Sequence, residues 1–209
     1  AMSMNVDLPD SDYEMMELTG AWSRERHIEY RKLVTGVQSI YSMRGHSSHQ
    51  FNPFICLKRE NTDETAGECY GFTILYSGSF LGSVEVDNHH VTRVQMGIHP
   101  ECFSWNLSRG EFFDTPESVL VYTEKGLNDM SHAFHTLFNN NLVRGRYKNH
   151  VRPILINNWE ATYFDFDEEK ILKIARKAAD AGIELFVLDD GWFGNRNDDH
   201  RGLGDWYVN

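Results

Sequence analysis

The period of the hydrophobic pattern changes near residue 125, and this change limits what the chain can fold into. Before it, short runs rich in β-branched and aromatic residues are separated by Gly, Asn, Asp and Pro: Leu33 to Met43, Cys69 to Phe80, His90 to Ile98 and Ser118 to Thr123. In the third run Val91, Arg93 and Gln95 alternate against Thr92, Val94 and Met96, the two-residue period of a strand. Short strands with turn residues between them predict an antiparallel sandwich, and the polar stretch Lys58 to Glu68 reads as a hairpin loop. From Leu127 the step lengthens. Leu127, Met130, Phe134, Leu137, Phe138 and Leu142 recur every three or four residues, one face of a helix that starts near Asn128 or Asp129 and ends around Val143 to Tyr147.

A third pattern follows. Pro153 to Ile156 is a short apolar run, Asp167 is placed to cap a helix, and Glu168 and Glu169 fall in its first turn, where the helix dipole favours acids. Ile171, Leu172, Ile174, Ala175, Ala178 and Ala179 form the helical stripe, with Gly182 as its C′ residue. Ile183 to Asp190 contains the continuous apolar run Leu185 to Leu188, the pattern of a strand buried on both faces. Strand, helix and strand at this spacing form a crossover with parallel strands.

With 209 residues there is room for one large domain, or for one domain and part of another. A formal charge of −11 argues against a nucleic-acid partner. Three cysteines without a Cys-x-x-Cys spacing argue against a disulfide framework or a zinc ribbon and fit a reducing, cytoplasmic setting. The first 25 residues are acidic and lack the apolar core of a secretory signal, so none is expected. No stretch approaches the roughly 18 apolar residues of a membrane span, so no membrane partner is expected.

Sites in parallel α/β folds form at the carboxyl ends of strands. Two such ends, Ile156 to Thr162 and Leu188 to Trp192, deliver Trp159, Asp189, Asp190 and Trp192 to one rim. Carboxylates accept hydrogen bonds and indoles offer a flat apolar face, a combination that suits a sugar, with hydroxyls on one edge and C–H bonds on another. Successive strand residues point to opposite faces, so the two Asp converge only if the strand stops there, and Gly191 permits that turn. Two Asp at a strand end equally suit the capping of a helix or the binding of an Arg, and the pattern leaves these alternatives open. The five Trp are also candidates for ordinary packing. Asn195 to His200 has the composition of a calcium loop without its ligand spacing, so no metal site is expected there. His132 and His135 share a helix face with no third ligand, and His46, Ser47, Ser48 and His49 lack a nucleophile elbow and read as a turn.

Arg152 to Phe166, Gly182 to Arg196 and Gly202 to Asn209 resemble the bacterial α-galactosidases of glycoside hydrolase family 36, as do Arg44 to Phe54, Glu68 to Phe80 and Ser104 to Glu117. The resemblance extends from about Thr19 onward. It implies the later part of an antiparallel β-supersandwich over residues 1–126, a connecting helix over 127–148, and the first strand-helix-strand of a (β/α)8 catalytic barrel over 149–209. It also implies that Asp189 and Asp190 hold the O4 and O6 hydroxyls of galactose and that Trp159 lines the same pocket. The implied partners are galactose-containing oligosaccharides, with no cofactor and a homo-oligomeric full-length enzyme. The family's nucleophile sits in a Lys-Trp-Asp string, and none occurs in these residues. A (β/α)8 barrel takes about 250 residues, so the chain reads as part of a retaining glycosidase that carries neither catalytic carboxyl group. A non-catalytic carbohydrate-binding or assembly module is the competing expectation. A relative acting on α-N-acetylgalactosaminides is a third.

Overall fold

Nine strands build the first of two units into which the chain divides, Ala1–Leu142 and Val143–Asn209; the computed structural model describes all 209 residues. The strands are β1 (Met2–Leu8), β2 (Glu14–Ala21), β3 (Arg24–Lys32), β4 (Gly36–Tyr41), β5 (Phe51–Lys58), β6 (Cys69–Ile74), β7 (Phe80–Val86), β8 (Thr92–Ile98) and β9 (Ser118–Thr123). They form two antiparallel sheets, β1-β8-β7-β4 and β3-β2-β5-β6-β9. The period-two alternation sorts side chains between two cores. Met15, Ile55, Leu57, Phe72 and Ile74 of the five-stranded sheet meet Ile40, Phe80, Val84, Val94 and Met96 of the four-stranded sheet. Met16, Cys56 and Cys69 point the other way, onto Met130 and Phe134 of helix α1 (Gly126–Leu137). Gly71 makes the helix contact possible, since a Cβ there would lie 2.5 Å from a Phe134 ring carbon and 2.6 Å from the Met130 sulfur.

The Lys58 to Glu68 loop does join antiparallel neighbours, with Lys58 opposite Cys69. Three features depart from the sequence expectation. The Cys69 to Phe80 run is two strands, because it breaks after Ile74 and Phe80 opens β7 in the other sheet. Strands β1, β2 and β3 carry no sequence signal of comparable strength. Polar and charged residues interrupt β1 and β2, and the sequence RERHIEYRK of β3 is almost wholly exposed because β3 is a sheet edge. Helix α1 ends at Leu137 and continues as one π-helical turn to Leu142, just short of the expected end around Val143 to Tyr147.

Within the sandwich Glu17 is fully buried, paired with Arg31 but with Oε2 unpartnered. Burial raises its carboxyl above the usual range, against the opposing Arg31 charge. A raised folded-state value means that the wild type loses stability as pH climbs from the unfolded value of about 4.3 through the folded one. Glu17→Gln does not titrate. It is expected to be more stable than wild type at pH 7 and equal to it below about pH 4, which urea melts at the two pH values check.

The second unit contains β10 (Leu155–Asn157), the short helix α2 (Trp159–Thr162), helix α3 (Glu168–Asp180) and β11 (Leu185–Val187). β10 and β11 are parallel, with Leu155, Ile156 and Asn157 opposite Leu185, Phe186 and Val187. Asp167 caps α3 by accepting the Lys170 N–H at 2.8 Å, and Gly182, at φ +86°, closes it while Ile183 N–H bonds back to the Ala178 carbonyl. The expectation that the Ile183 to Asp190 strand is buried on both faces is not met. Leu185 is 40 % exposed and Leu155 52 %. The physical reason is the size of the layer, because two strands and one long helix leave apolar sheet surface without a covering element. No helix of the chain is long and apolar enough to cross a membrane.

Candidate functional site

β11 stops at Val187, and the chain turns at Gly191, where φ is +95°. The turn packs tightly, since a Cβ on Gly191 would lie 3.1 Å from Phe166 and 3.2 Å from Phe164. The carboxylates therefore leave the strand end in a fixed local geometry. Asp189 accepts the Asn157 side-chain N–H at Oδ2 (2.7 Å) and the Asp190 backbone N–H at Oδ1 (2.7 Å). Its own N–H donates to Oδ1 of Asn158 (2.9 Å). Asn158 is fully buried and its amide donates to Thr162 Oγ1 (2.9 Å), so one side chain ties the end of β10, α2 and the end of β11 together.

Asp190 is gripped differently. Arg196 donates from Nε to Oδ1 (2.9 Å) and, sharing that hydrogen, to Oδ2 (3.1 Å), and from Nη2 to Oδ2 (2.7 Å), and the Gly191 N–H adds a bond to Oδ1 (2.8 Å). The third Arg196 arm donates to the Arg201 carbonyl at 2.6 Å. Arg196 is 6 % exposed, and its guanidinium lies 5.6 Å from the Phe164 ring centroid. The hydrogen-bonded guanidinium holds the Asp190 carboxyl below the usual carboxylate range, against a smaller effect of burial. The arginine partner left open by the sequence thus exists for Asp190.

A carboxylate has about four acceptor positions. Asp189 uses one on each oxygen and keeps one on each. Asp190 is partly exposed and is least engaged at Oδ2, which accepts Nη2 and only a share of the Nε hydrogen (3.1 Å). Two acceptor positions on Asp189 and the lightly engaged Oδ2 edge of Asp190 thus lie at the end of β11, on groups fixed by internal bonds. Such an array can hold a ligand with several hydroxyls.

Trp159 starts α2 directly beyond β10, its N–H bonded to Asn157 Oδ1 (3.1 Å) and its ring edge-on to Tyr163 (5.2 Å) and Phe164 (5.0 Å). Trp192 is half-buried, edge-on to Phe193 at 5.1 Å, and Phe193 in turn contacts Trp206 at 4.6 Å. Trp159 and Asp190 are linked through Phe164 and Arg196, whereas Trp192 belongs to the aromatic cluster of the following loop. Asn157, Asn158 and Arg196 were not singled out from sequence. The available signal was the doubled Asn of "INNW", one strand away from the doubled Asp of "LDDGW".

The other sequence candidates fall elsewhere. Asp198, Asp199 and His200 bring their ligand atoms within 4.8 Å of one another at the surface, and Arg201 pairs with Asp198 at 2.9 Å. His132 and His135 are exposed, with ring centroids 6.5 Å apart. In the His46 to His49 segment, Ser47 Oγ donates to the Tyr76 carbonyl (3.3 Å) and Ser48 Oγ accepts the Gln50 N–H (3.2 Å), the bonding of a turn.

Comparison with known proteins divides the chain just before β9, so the last strand of the five-stranded sheet and helix α1 fall with the parallel unit. Residues 1–108 match the glycosyl hydrolase family 36 N-terminal domain, and residues 112–209 match Melibiase. The chain is 60% identical over its full length to the α-galactosidase AgaA of Geobacillus stearothermophilus and 47% identical over 99% of its length to an α-galactosidase of Lactobacillus acidophilus. It covers 29% and 28% of those proteins, less than a third of their length. Crystal structures of the Geobacillus enzyme, among them variants in complex with raffinose and with stachyose, superpose on the whole chain with a TM-score of 0.96 and 60% identity, covering 29% of each. The α-galactosidase of Lactobacillus brevis superposes with a TM-score of 0.97 at 48% identity, covering 28% of that chain. Strands β1 to β8 thus fall in the match to the N-terminal domain of these enzymes, and β9, α1 and the parallel unit fall in the Melibiase match, so the chain belongs to glycosyl hydrolase family 36.

Proposed function

We propose that this chain supplies the galactose-binding edge of a retaining α-galactosidase that removes terminal α-galactose from oligosaccharides of the raffinose type. Asp189 and Asp190 hold the O4 and O6 hydroxyls, Trp159 lines the apolar side of the ring, and Trp192 supports the same rim from its loop. The observation that carries the reading is the pair of carboxylates at the end of β11, beside the end of its parallel neighbour β10, each fixed by internal hydrogen bonds, with Asp189 keeping acceptor positions and Asp190 partly exposed at the edge of its carboxylate. The raffinose and stachyose complexes of the Geobacillus relative support the substrate class.

Retention needs two carboxyl groups roughly 5 Å apart, on opposite sides of the scissile bond. Asp189 and Asp190 are consecutive residues, and Asp190 is bound to an arginine, so neither suits proton transfer or attack at the anomeric carbon. In this reading the nucleophile and the acid/base lie on later strands of a (β/α)8 barrel, in sequence outside these residues. The share of its relatives that the chain covers supports that division. The proposal extends to a cytoplasmic, homo-oligomeric enzyme. Three unpaired cysteines support the compartment, and exposed Trp22, Ile28 and Tyr30 on the β2–β3 hairpin support an assembly surface.

The 209-residue chain by itself is expected to show no hydrolysis of a chromogenic α-galactoside. Turnover by contaminant-free chain that vanishes on Asp189→Ala would overturn the division of roles. The complete enzyme is expected to release α-galactose first when the anomeric proton is followed by NMR. Release of β-galactose first, or no turnover of any α-galactoside, would contradict the proposed function.

A further inference from the structure

Arg196 has no place in the sequence argument, yet it is the most constrained cation of the second unit. It is 6 % exposed, and all three nitrogens of its guanidinium are engaged: Nε and Nη2 on Asp190, and Nη1 on the Arg201 carbonyl. The Phe164 ring, which also contacts Trp159, lies beside it. A buried guanidinium held at this many points does not adjust when a ligand arrives, so its position is a property of the fold. The fork contacts both Asp190 oxygens, Nε at 2.9 and 3.1 Å and Nη2 at 2.7 Å, and so fixes the plane of the carboxylate. A lysine would supply charge without fixing that plane.

We infer that Arg196 is a positioning residue for the sugar site, acting through Asp190: its fork sets the orientation in which Asp190 presents the exposed edge of its carboxylate. The inference rests on the proposed role of Asp190 and adds to it a residue that touches no sugar. The loop of Asn195 to Arg201 then serves as the brace of the site, with the Arg201 carbonyl anchoring the far side of the guanidinium.

A double-mutant cycle on the complete enzyme tests this, with every variant assayed at a temperature where its melt shows it fully folded. Asp190→Asn and Arg196→Met are each expected to lower kcat/KM about tenfold or more, with the Arg196→Met loss falling mainly on KM, because a misdirected acceptor weakens binding of the sugar. If Arg196 acts only through Asp190, the double variant is expected to lie within about threefold of the weaker single variant. A purely structural arginine would give losses that multiply. Multiplying losses, an Arg196→Met loss confined to kcat, or wild-type kcat/KM in Arg196→Met would overturn the inference and leave the Asp190 reading standing. Wild-type kcat/KM in Asp190→Asn would instead overturn the site reading itself.

Discussion

Asp189→Ala and Asp190→Ala are each expected to lower kcat/KM for an α-galactoside by about ten- to hundredfold per hydrogen bond lost in the complete enzyme. Each carboxylate would accept charge-assisted bonds from sugar hydroxyls, which contribute on the order of 1.5–3 kcal/mol apiece. The loss grows if those bonds also orient the anomeric carbon for attack. The two variants separate in a melt. Asp189 bonds to Asn157 and to a backbone N–H at an exposed strand end, so its removal is expected to leave the melting temperature near that of wild type. Asp190→Ala leaves the Arg196 guanidinium without its counter-charge, so its melting temperature is expected to fall below that of Asp189→Ala. Asp190→Asn keeps hydrogen-bond acceptance and is the gentler probe. Galactose and glucose differ at O4, so the carboxylate that reads O4 also sets the discrimination between them, and its variant is expected to narrow the galactoside-to-glucoside ratio. An unchanged kcat/KM in Asp189→Ala at an unchanged melting temperature would contradict this role.

Phe72→Ala is expected to produce the largest loss of stability in the first unit. The ring is fully buried between the two sheets, among Met15, Ile55, Phe80 and Met96 of the same core, with Tyr70 stacked at 6.4 Å. Truncation removes transfer free energy and leaves a cavity that β strands tied on both sides cannot close, so about 3–5 kcal/mol is expected. For a unit of this size that corresponds to a fall in melting temperature of roughly 10–15 °C. Phe112→Ala is the control, at 80 % exposure, and is expected to shift the melt little. Equal shifts for the two would mean that the core of the first unit has been placed wrongly.

The elements that were legible before the structure share one property: each carries its own periodic signal. β8, β9 and the face of α1 have it, and so does α3 with its Asp167 cap and Gly182 terminus. What was not legible depended on partners distant in sequence. β1 is a strand because β8 lies beside it, Asp7 pairing with Arg93 across 86 residues. The Cys69 to Phe80 run divides because its two halves belong to different sheets, which no local pattern reports. β11 has the composition of a strand covered on both sides, but composition records the surroundings a strand was selected for, and no layer covers its second face here. At the site, the two Asp and their glycine turn follow from local chemistry. Arg196 and Asn158 do not, because an arginine in a polar loop and an asparagine in a pair look like surface residues until the chain folds them inward.

The central claim is that Asp189 and Asp190 hold galactose, and calorimetric titration of the complete enzyme with free galactose tests it without any contribution from catalysis. Wild type is expected to bind galactose and to bind glucose at least tenfold more weakly. Asp189→Ala and Asp190→Asn, shown by melting to be folded at the titration temperature, are expected to lose at least tenfold in galactose affinity. Galactose binding at wild-type affinity in both folded variants would show that the two carboxylates do not hold the sugar.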